Sequence, residues 1–255
     1  MAEFTPSDIG SQLKIAGRLD SQPLCVYGAD SPPVDSIPSV DMNRCIAKAI
    51  FSLATESDNS IIHIGRNKTK ECCPGGQAWF GFQSFMTHLN SFLSTGSPSF
   101  RNGRSEFLIA TPDLAEKRLQ SIGKITPLGK YIIIQRSDHI DVVNSKLKLF
   151  LCFGNAEQIR NLCSLVYFGS QTAHEIYFPW GPSCASFISY PAGMIENCPN
   201  NAVILGPTDP TGNYWFPQDY LSMGIPFIIA KKMAEDLASS FIMKRPKVAY
   251  PIQRE

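Results

Sequence analysis

From Ile176 to Ile195 the chain carries no charged residue, yet Pro179, Pro182 and Pro191 with Gly181 and Gly193 punctuate it. The stretch is long enough to span a bilayer as a helix, but prolines at this density break a helix repeatedly. It must therefore lie buried in a globular fold or line an apolar pocket. Its surroundings agree, because between Arg160 and Asp209 the only charged residues are Glu175 and Glu196. Over all 255 residues 18% are charged and 44% are apolar or aromatic, against about 25% charged in an average soluble domain. That balance excludes a disordered chain. The 23 Lys and Arg nearly cancel the 22 Asp and Glu, leaving a net charge of +1. A sequence-independent nucleic-acid binder or an electrostatic membrane binder needs a clustered basic surface instead. Neither partner is expected. Met1 to Asp8 shows no basic run leading into an apolar core, so the expected location is cytoplasmic.

Strand-like and helix-like segments alternate along the chain, which predicts an α/β fold, or a mixed α+β one. No linker long enough to divide residues 1–255 stands out, so one domain is expected. Pro23–Tyr27, Ser60–Ile64, Tyr131–Ile134, Leu147–Phe153, Glu175–Phe178 and Ala202–Leu205 read as strands. Asp41 is placed to cap a helix in which Met42, Cys45, Ile46, Ala49, Ile50 and Leu53 share one face. Phe82, Phe85, Met86, Leu89, Phe92 and Leu93 predict the inner face of a second helix, ended by Gly96 and Pro98. Thr111-Pro112-Asp113 opens a third, and Asn155 with Gln158 makes a capping-box start to a fourth. Pro182 begins another, running to about Tyr190, and Ala230, Met233, Ala234, Leu237 and Phe241 mark the last. The polar tail from Lys244 onward is expected to fray.

The two halves carry a faint repeat. Cys45 opens a helical stretch that leads to Asn59–Gly65, then to Gly76 and Trp79-Phe80-Gly81-Phe82. Cys184 opens another that leads to Asn201–Gly206, then to Gly212 and Tyr214-Trp215-Phe216. An internally duplicated strand–helix–strand unit would set Cys45 and Cys184 on either side of one central site.

Eight cysteines occur, and no pair has the Cys-x-x-Cys spacing of a zinc ribbon or redox motif. Reduced thiols are expected rather than a disulfide framework. Cys73-Pro74-Gly75-Gly76 places a thiol beside free backbone N–H groups at a helix start, where the dipole favours a thiolate. The competing reading is a tight turn with a packed thiol. Cys184, behind Gly181-Pro182, repeats the arrangement. Cys45, Cys73 and Cys184, with Cys72 or Cys198, form a candidate iron–sulfur ligand set if the fold gathers them. Cys152 and Cys163 fall on strand and inner helix positions and are assigned to the core. His63 sits within a strand, either as a core histidine or as a base for the Cys73 thiol. Aromatic groups around Trp79, Trp180 and Trp215 flank both cysteine segments and, with Gly75 and Gly76, suggest the wall of a small-ligand pocket. No phosphate-binding loop or Gly-x-Ser-x-Gly elbow is present.

These residues resemble a family. Cys45 followed by Cys73-Pro74-Gly75-Gly76 and Gly81 is similar to the first signature of the domain of unknown function 169 family of archaea and anaerobic bacteria. Leu149–Gln158 resembles its strand-to-helix segment, with Asn155-Ala156 where the family usually has Asn-Pro. Cys184 stands at its small-residue helix start, and Leu205-Gly206 through Ile225-Pro226 resembles its closing segment. The likeness runs from about Pro23 to Lys244; Cys72 and Cys198 fall outside the pattern. It implies no activity. Three functions follow from the residues: an iron–sulfur or small-molecule site with a redox role, an enzyme with Cys73 as nucleophile, and a non-catalytic homo-oligomer built on the charge-poor region.

Overall fold

A computed structural model describes residues 3–56, 59–66, 73–140, 144–209 and 214–244. The tail beyond Lys244, Cys72 and Gly212 lie outside the described residues. The chain forms one α/β domain around an eight-stranded mixed sheet ordered β2-β3-β4-β1-β5-β8-β7-β6. The strands are β1 (Leu24–Ala29), β2 (Ser36–Pro38), β3 (Ile61–Gly65), β4 (Tyr131–Arg136), β5 (Leu147–Asn155), β6 (Ile176–Tyr177), β7 (Val203–Gly206) and β8 (Tyr220–Pro226). Only the outermost pairs, β2 with β3 and β6 with β7, are parallel. All other neighbours are antiparallel.

The order reads as the same four-strand unit used twice. Outward from the centre run β1, β4, β3 and β2 on one side, and β5, β8, β7 and β6 on the other. Each unit starts with its central strand, crosses to its edge strand and returns by a helical crossover to a parallel neighbour. The two central strands then pair antiparallel, with Leu24 opposite Leu151 and Cys25 opposite Phe150. Both parallel crossovers lie on the same face of the sheet.

That face buries Leu24, Val26, Ile62, Ile64, Ile132, Ile134, Leu149, Leu151 and Phe153. Against it pack α3 (Ile46–Thr55), α4 (Pro74–Trp79) and a π-helix, Ala185–Ser189. The other face holds Cys25, Tyr27, Phe150, Cys152 and Met223 beneath α1 (Pro6–Gly17), α7 (Ala156–Phe168) and α8 (Phe227–Asp236). Burial on both faces explains why the central strands are nearly continuous apolar runs instead of alternating ones. Cys152 is fully buried and Cys163 packs against the same core, as their positions in the sequence suggested.

Several elements depart from the spacing-based expectation for local reasons. The capping sequence Thr5-Pro6-Ser7-Asp8 starts α1, a helix that was not anticipated, and both bonds of its capping box are made. Residues 41–53 are not one helix. Asn43 is extended (φ −160°, ψ 142°) and its Oδ1 accepts the Cys45 N–H at 2.9 Å. The chain therefore breaks after α2 (Ser39–Met42), and Cys45, not Asp41, becomes the N-cap of α3. The aromatic stripe from Phe82 to Leu93 is likewise broken. Gly81, at φ +72°, turns the chain after α4, and His88, at φ 65°, precedes the short α5 (Leu89–Leu93). Phe82 joins the main core while Leu93 joins a small separate cluster with Ile109 and Ala115. The helix behind Thr111 (α6, Pro112–Ser121) and the box at Asn155 form as expected.

The segment opened by Pro182 is wound as a π-helix, with Tyr190 N–H donating to Ala185 O and Met194 N–H to Ser189 O, each at 2.9 Å. Gly206 in β7 and Gly224 in β8 let it lie against the sheet. A Cβ on either would collide with Ser186 or Pro191. The charge-free stretch is therefore only partly buried: from Gly181 onward it is mostly packed against the strands as the second crossover, whereas Tyr177 and Phe178 near its start are exposed at the edge strand.

Candidate functional site

Three short-range features place three thiols at three helix starts. The Asn43 turn puts Cys45 at the N-cap of α3. Pro74 at the first position of α4 makes Cys73 its N-cap, and the Cys73 Sγ accepts the Gly76 N–H at 3.5 Å. Cys184 immediately precedes the π-helix. The fold then brings these starts together. A Cβ on Gly76 would stand 3.4 Å from the Cys184 Sγ and 2.9 Å from the Ile46 Cδ1. Gly76 thus fills the point where α4, α3 and the π-helix meet, and a larger residue would push Cys184 and Ile46 away. Gly75 faces the other way, with nothing within 4 Å of a Cβ placed there.

Electrostatics show the same convergence. Burial, followed by the neighbouring Cys73 and Cys45, pushes the Cys184 thiol well above its ordinary value, while the Ala47 N–H opposes the shift. Burial also raises Cys45, against the N–H groups of Lys48 and Ala47, and Cys73 adds to the rise. Cys184 feels both of the other thiols, and Cys45 feels Cys73. Without a compensating cation, neither Cys45 nor Cys184 ionises near neutral pH. Among the described residues no three His, Cys, Asp or Glu side chains are placed to hold a single metal ion.

The aromatic residues divide. Trp79 packs against Phe85, Trp180 and Tyr190 with ring centroids 5.2, 6.3 and 6.3 Å apart. Ser189 Oγ donates to the Trp79 carbonyl at 2.6 Å, and Tyr190 OH donates to the Trp180 carbonyl at 2.9 Å. The first bond ties the π-helix to α4 and the second holds the end of the crossover to its start, and residue type alone gave no signal for either. Arg118 lies over the Trp180 ring at 5.4 Å. Trp215 belongs to a different group, with Phe51 and Phe216 each 5.7 Å away, and its buried Nε1–H has no partner among the described residues. The expected aromatic wall is therefore two clusters. Both reach the second crossover, the first through Tyr190 and the second through Phe187, whose ring lies 6.1 Å from Phe216.

His63 is not gathered in. Ile62 and Ile64 face the thiol side of the sheet, so His63, between them on β3, faces away. It bonds the Ser36 Oγ through Nδ1 at 2.9 Å and packs edge-on against Tyr131. Cys198 lies near Tyr190, whose phenol feels its charge, and burial pushes the Cys198 thiol up to about 11. A cleft of about 740 Å³ lined by Phe92 and residues 102–107, and another of about 330 Å³ between α7 and α8, contain none of the site residues.

Residues 12–236 match the family model described as DUF169, uncharacterised ArCR. The chain belongs to the DUF169 family. No curated protein and no solved structure matches it. The DUF169 match spans both four-strand units and all three converging cysteines, so the paired architecture and the thiol site fall within one family domain. Among the described residues of this DUF169 protein no helix is long and apolar enough to cross a membrane.

Proposed function

We propose that this DUF169 protein binds an iron–sulfur cluster through Cys45, Cys73 and Cys184 and uses it in a redox role. The observation that carries the reading is the meeting of three cysteines, each at a helix start, around Gly76. Cys45 and Cys184, raised first by burial and then by neighbouring thiols, are costly to ionise, and a bound metal centre would repay that cost by taking the thiolates as ligands. A single tetrahedral ion would hold its sulfurs within about 4 Å of each other, from a metal–sulfur bond of about 2.3 Å. The described side chains offer no such group. A cluster spreads its cysteines over several irons, and the surrounding N–H groups and apolar shell are the features that tune such a centre.

The test is anaerobic reconstitution with iron and sulfide, followed by a visible spectrum and iron and sulfide counts per chain. Broad visible absorption is expected, lost in Cys45→Ser, Cys73→Ser and Cys184→Ser but kept in Cys163→Ser. A colourless wild-type protein, or colour that survives Cys184→Ser, overturns the reading.

A second reading, an enzyme with Cys73 as nucleophile, is favoured by one observation. Cys73 is less buried than Cys184 and accepts the Gly76 N–H. It requires iron-free protein in which iodoacetamide modifies Cys73 well before Cys45 and Cys184 at pH 7.5. Equal labelling of all three removes its basis.

A further inference from the structure

A cleft of about 330 Å³ lies across the sheet from the thiols, between the last turn of α7, one face of α8 and residues 169–175. Its apolar lining includes Leu165, Val166 and Met233, with Ile228, 69% exposed, at the lip. That volume falls at the small end of ligand sites, which run from about 300 to 1,000 Å³. Three charged side chains line it as well: Glu175, Lys232 and Asp236. The one cation is already engaged. Lys232 Nζ lies 3.3 Å from Asp236 Oδ2, and the pair sits against Gly169 at the C-cap of α7, where the helix dipole suits a positive charge. A Cβ on Gly169 would collide with both Asp236 Oδ2 and Lys232 Cε, so only glycine admits the pair there. Glu175 differs. Its carbonyl accepts the Val203 N–H at 3.0 Å, which fixes it at the head of β6, and its Oε1 accepts the neutral Ser170 hydroxyl at 2.7 Å. Among the described residues no cation pairs with it.

A molecule that fills the apolar part of this cleft strips water from the half-buried Glu175 carboxylate. A neutral occupant leaves that charge unpaired and an anionic one opposes it, whereas a cation pairs with it. We propose that the α7–α8 cleft binds a small organic ammonium ion, its short hydrocarbon body against Leu165, Val166, Ile228 and Met233 and its amine head on Glu175. Ser170 holds Oε1 and so leaves Oε2 to accept from the ligand. Two carboxylates, Glu175 and Asp236, against the one ammonium of Lys232 give the lining a net charge of −1, and the α7 C-terminus adds to the negative potential. The site shares no residue with the thiol centre and does not depend on a cluster being bound there.

The experiment titrates the full-length protein at neutral pH with hexylammonium, hexanol and hexanoate, three probes of one chain length and different charge, and follows the Ile228 and Met233 methyl signals by NMR. Hexylammonium should shift both signals saturably, and hexanol should bind about tenfold more weakly, the difference one hydrogen bond to a charged group makes. Hexanoate should bind more weakly still. Glu175→Gln should bring hexylammonium down to the affinity of hexanol and leave hexanol unchanged. Lys232→Gln, which releases Asp236, should tighten hexylammonium. Hexanoate binding as well as hexylammonium, an unaltered hexylammonium affinity in Glu175→Gln, or no saturable shift with any probe overturns the proposal. Should Glu175→Gln fail to fold, Lys232→Gln decides: tighter hexylammonium supports the site, and weaker hexylammonium overturns it.

Discussion

The two four-strand units share their strand order and the position of one cysteine, and they differ in what joins their third and fourth strands. In the first unit, residues 66–130 lie between β3 and β4 and contribute α4, α5 and α6. In the second, residues 207–219 make the same connection with no helix among the described residues. Cys45 and Cys184 are equivalents, each at the start of the helix that crosses from edge strand to neighbour. Cys73 has no equivalent and arrives on the long connection. The crossovers differ as well: α3 is a regular ten-residue helix, whereas the second is a π-helix. Repetition brings two thiols to one point because corresponding positions meet where the halves meet. The third thiol comes from the part that is not repeated. A symmetric frame thus supports an asymmetric site.

The strongest way to break this comparison is to attack the residue both units share. Phe153 on β5 is fully buried and packs against Phe51 of the first crossover and Phe187 of the second, with ring centroids 5.2 and 4.9 Å apart. Phe153→Ala should cost about 3–5 kcal/mol, read as a lowered midpoint in denaturant. A single transition is expected, since the halves share one sheet; two separate transitions would show that they fold independently.

Equivalent strand ends sharpen it. Gly65 closes β3 and Gly206 closes β7. A Cβ at Gly65 meets the Tyr131 ring at 2.7 Å, a half-buried side chain that can turn aside, whereas one at Gly206 meets Ser186 on the buried π-helix. Gly206→Ala should destabilise by about 1–3 kcal/mol and Gly65→Ala by less than about 1 kcal/mol. Equal costs in denaturation would mean that the two crossovers pack alike. Smaller again is Ser189→Ala, which removes the donor to the buried Trp79 carbonyl and so one tie between the π-helix and α4. About 1 kcal/mol should be lost. Unchanged stability would show that the tie carries no load.

The smallest effect is a pH slope to which two thiols of the second unit contribute. Burial pushes both Cys163 and Cys198 up to about 11. An unfolded thiol ionises near about 8.5, so from there to about 11 the unfolded chain holds fewer protons than the folded one. Stability contributed by these thiols is complete below that window and falls as pH rises through it. Cys163→Ala should make the decline between pH 8.5 and 11 shallower, as measured by urea midpoints. An identical slope would remove Cys163 from the account.

Much of this was legible in the chain. Tyr131–Ile134 and Leu147–Phe153 announce buried strands because burial on both faces demands unbroken apolar runs. Asn155 and Gln158 announce a helix start because a capping box is complete within four residues. The family resemblance, and the faint repeat relating Cys45 to Cys184, were visible for the same reason: each depends on residues in fixed local order. Where the reading failed, a longer-range contact or a single polar side chain had overridden periodicity. Met42 to Leu53 has helical spacing throughout, but the Asn43 Oδ1 bond to the Cys45 N–H outweighs one more turn of helix. Phe82 to Leu93 has it too, but Phe82 and Leu93 are drawn into different apolar clusters.

The sequence alone therefore determined the fold class, the family and the residue types available for chemistry, since these follow from composition, local pattern and order. Tertiary structure decided which of those residues meet. It joined Cys45, Cys73 and Cys184 around Gly76, turned His63 to the opposite face of the sheet and assigned Trp215 to a second aromatic cluster. The reason is physical: a thiol's partners are set by the sheet order and by how closely helices approach the sheet, and both depend on contacts between residues far apart in the chain.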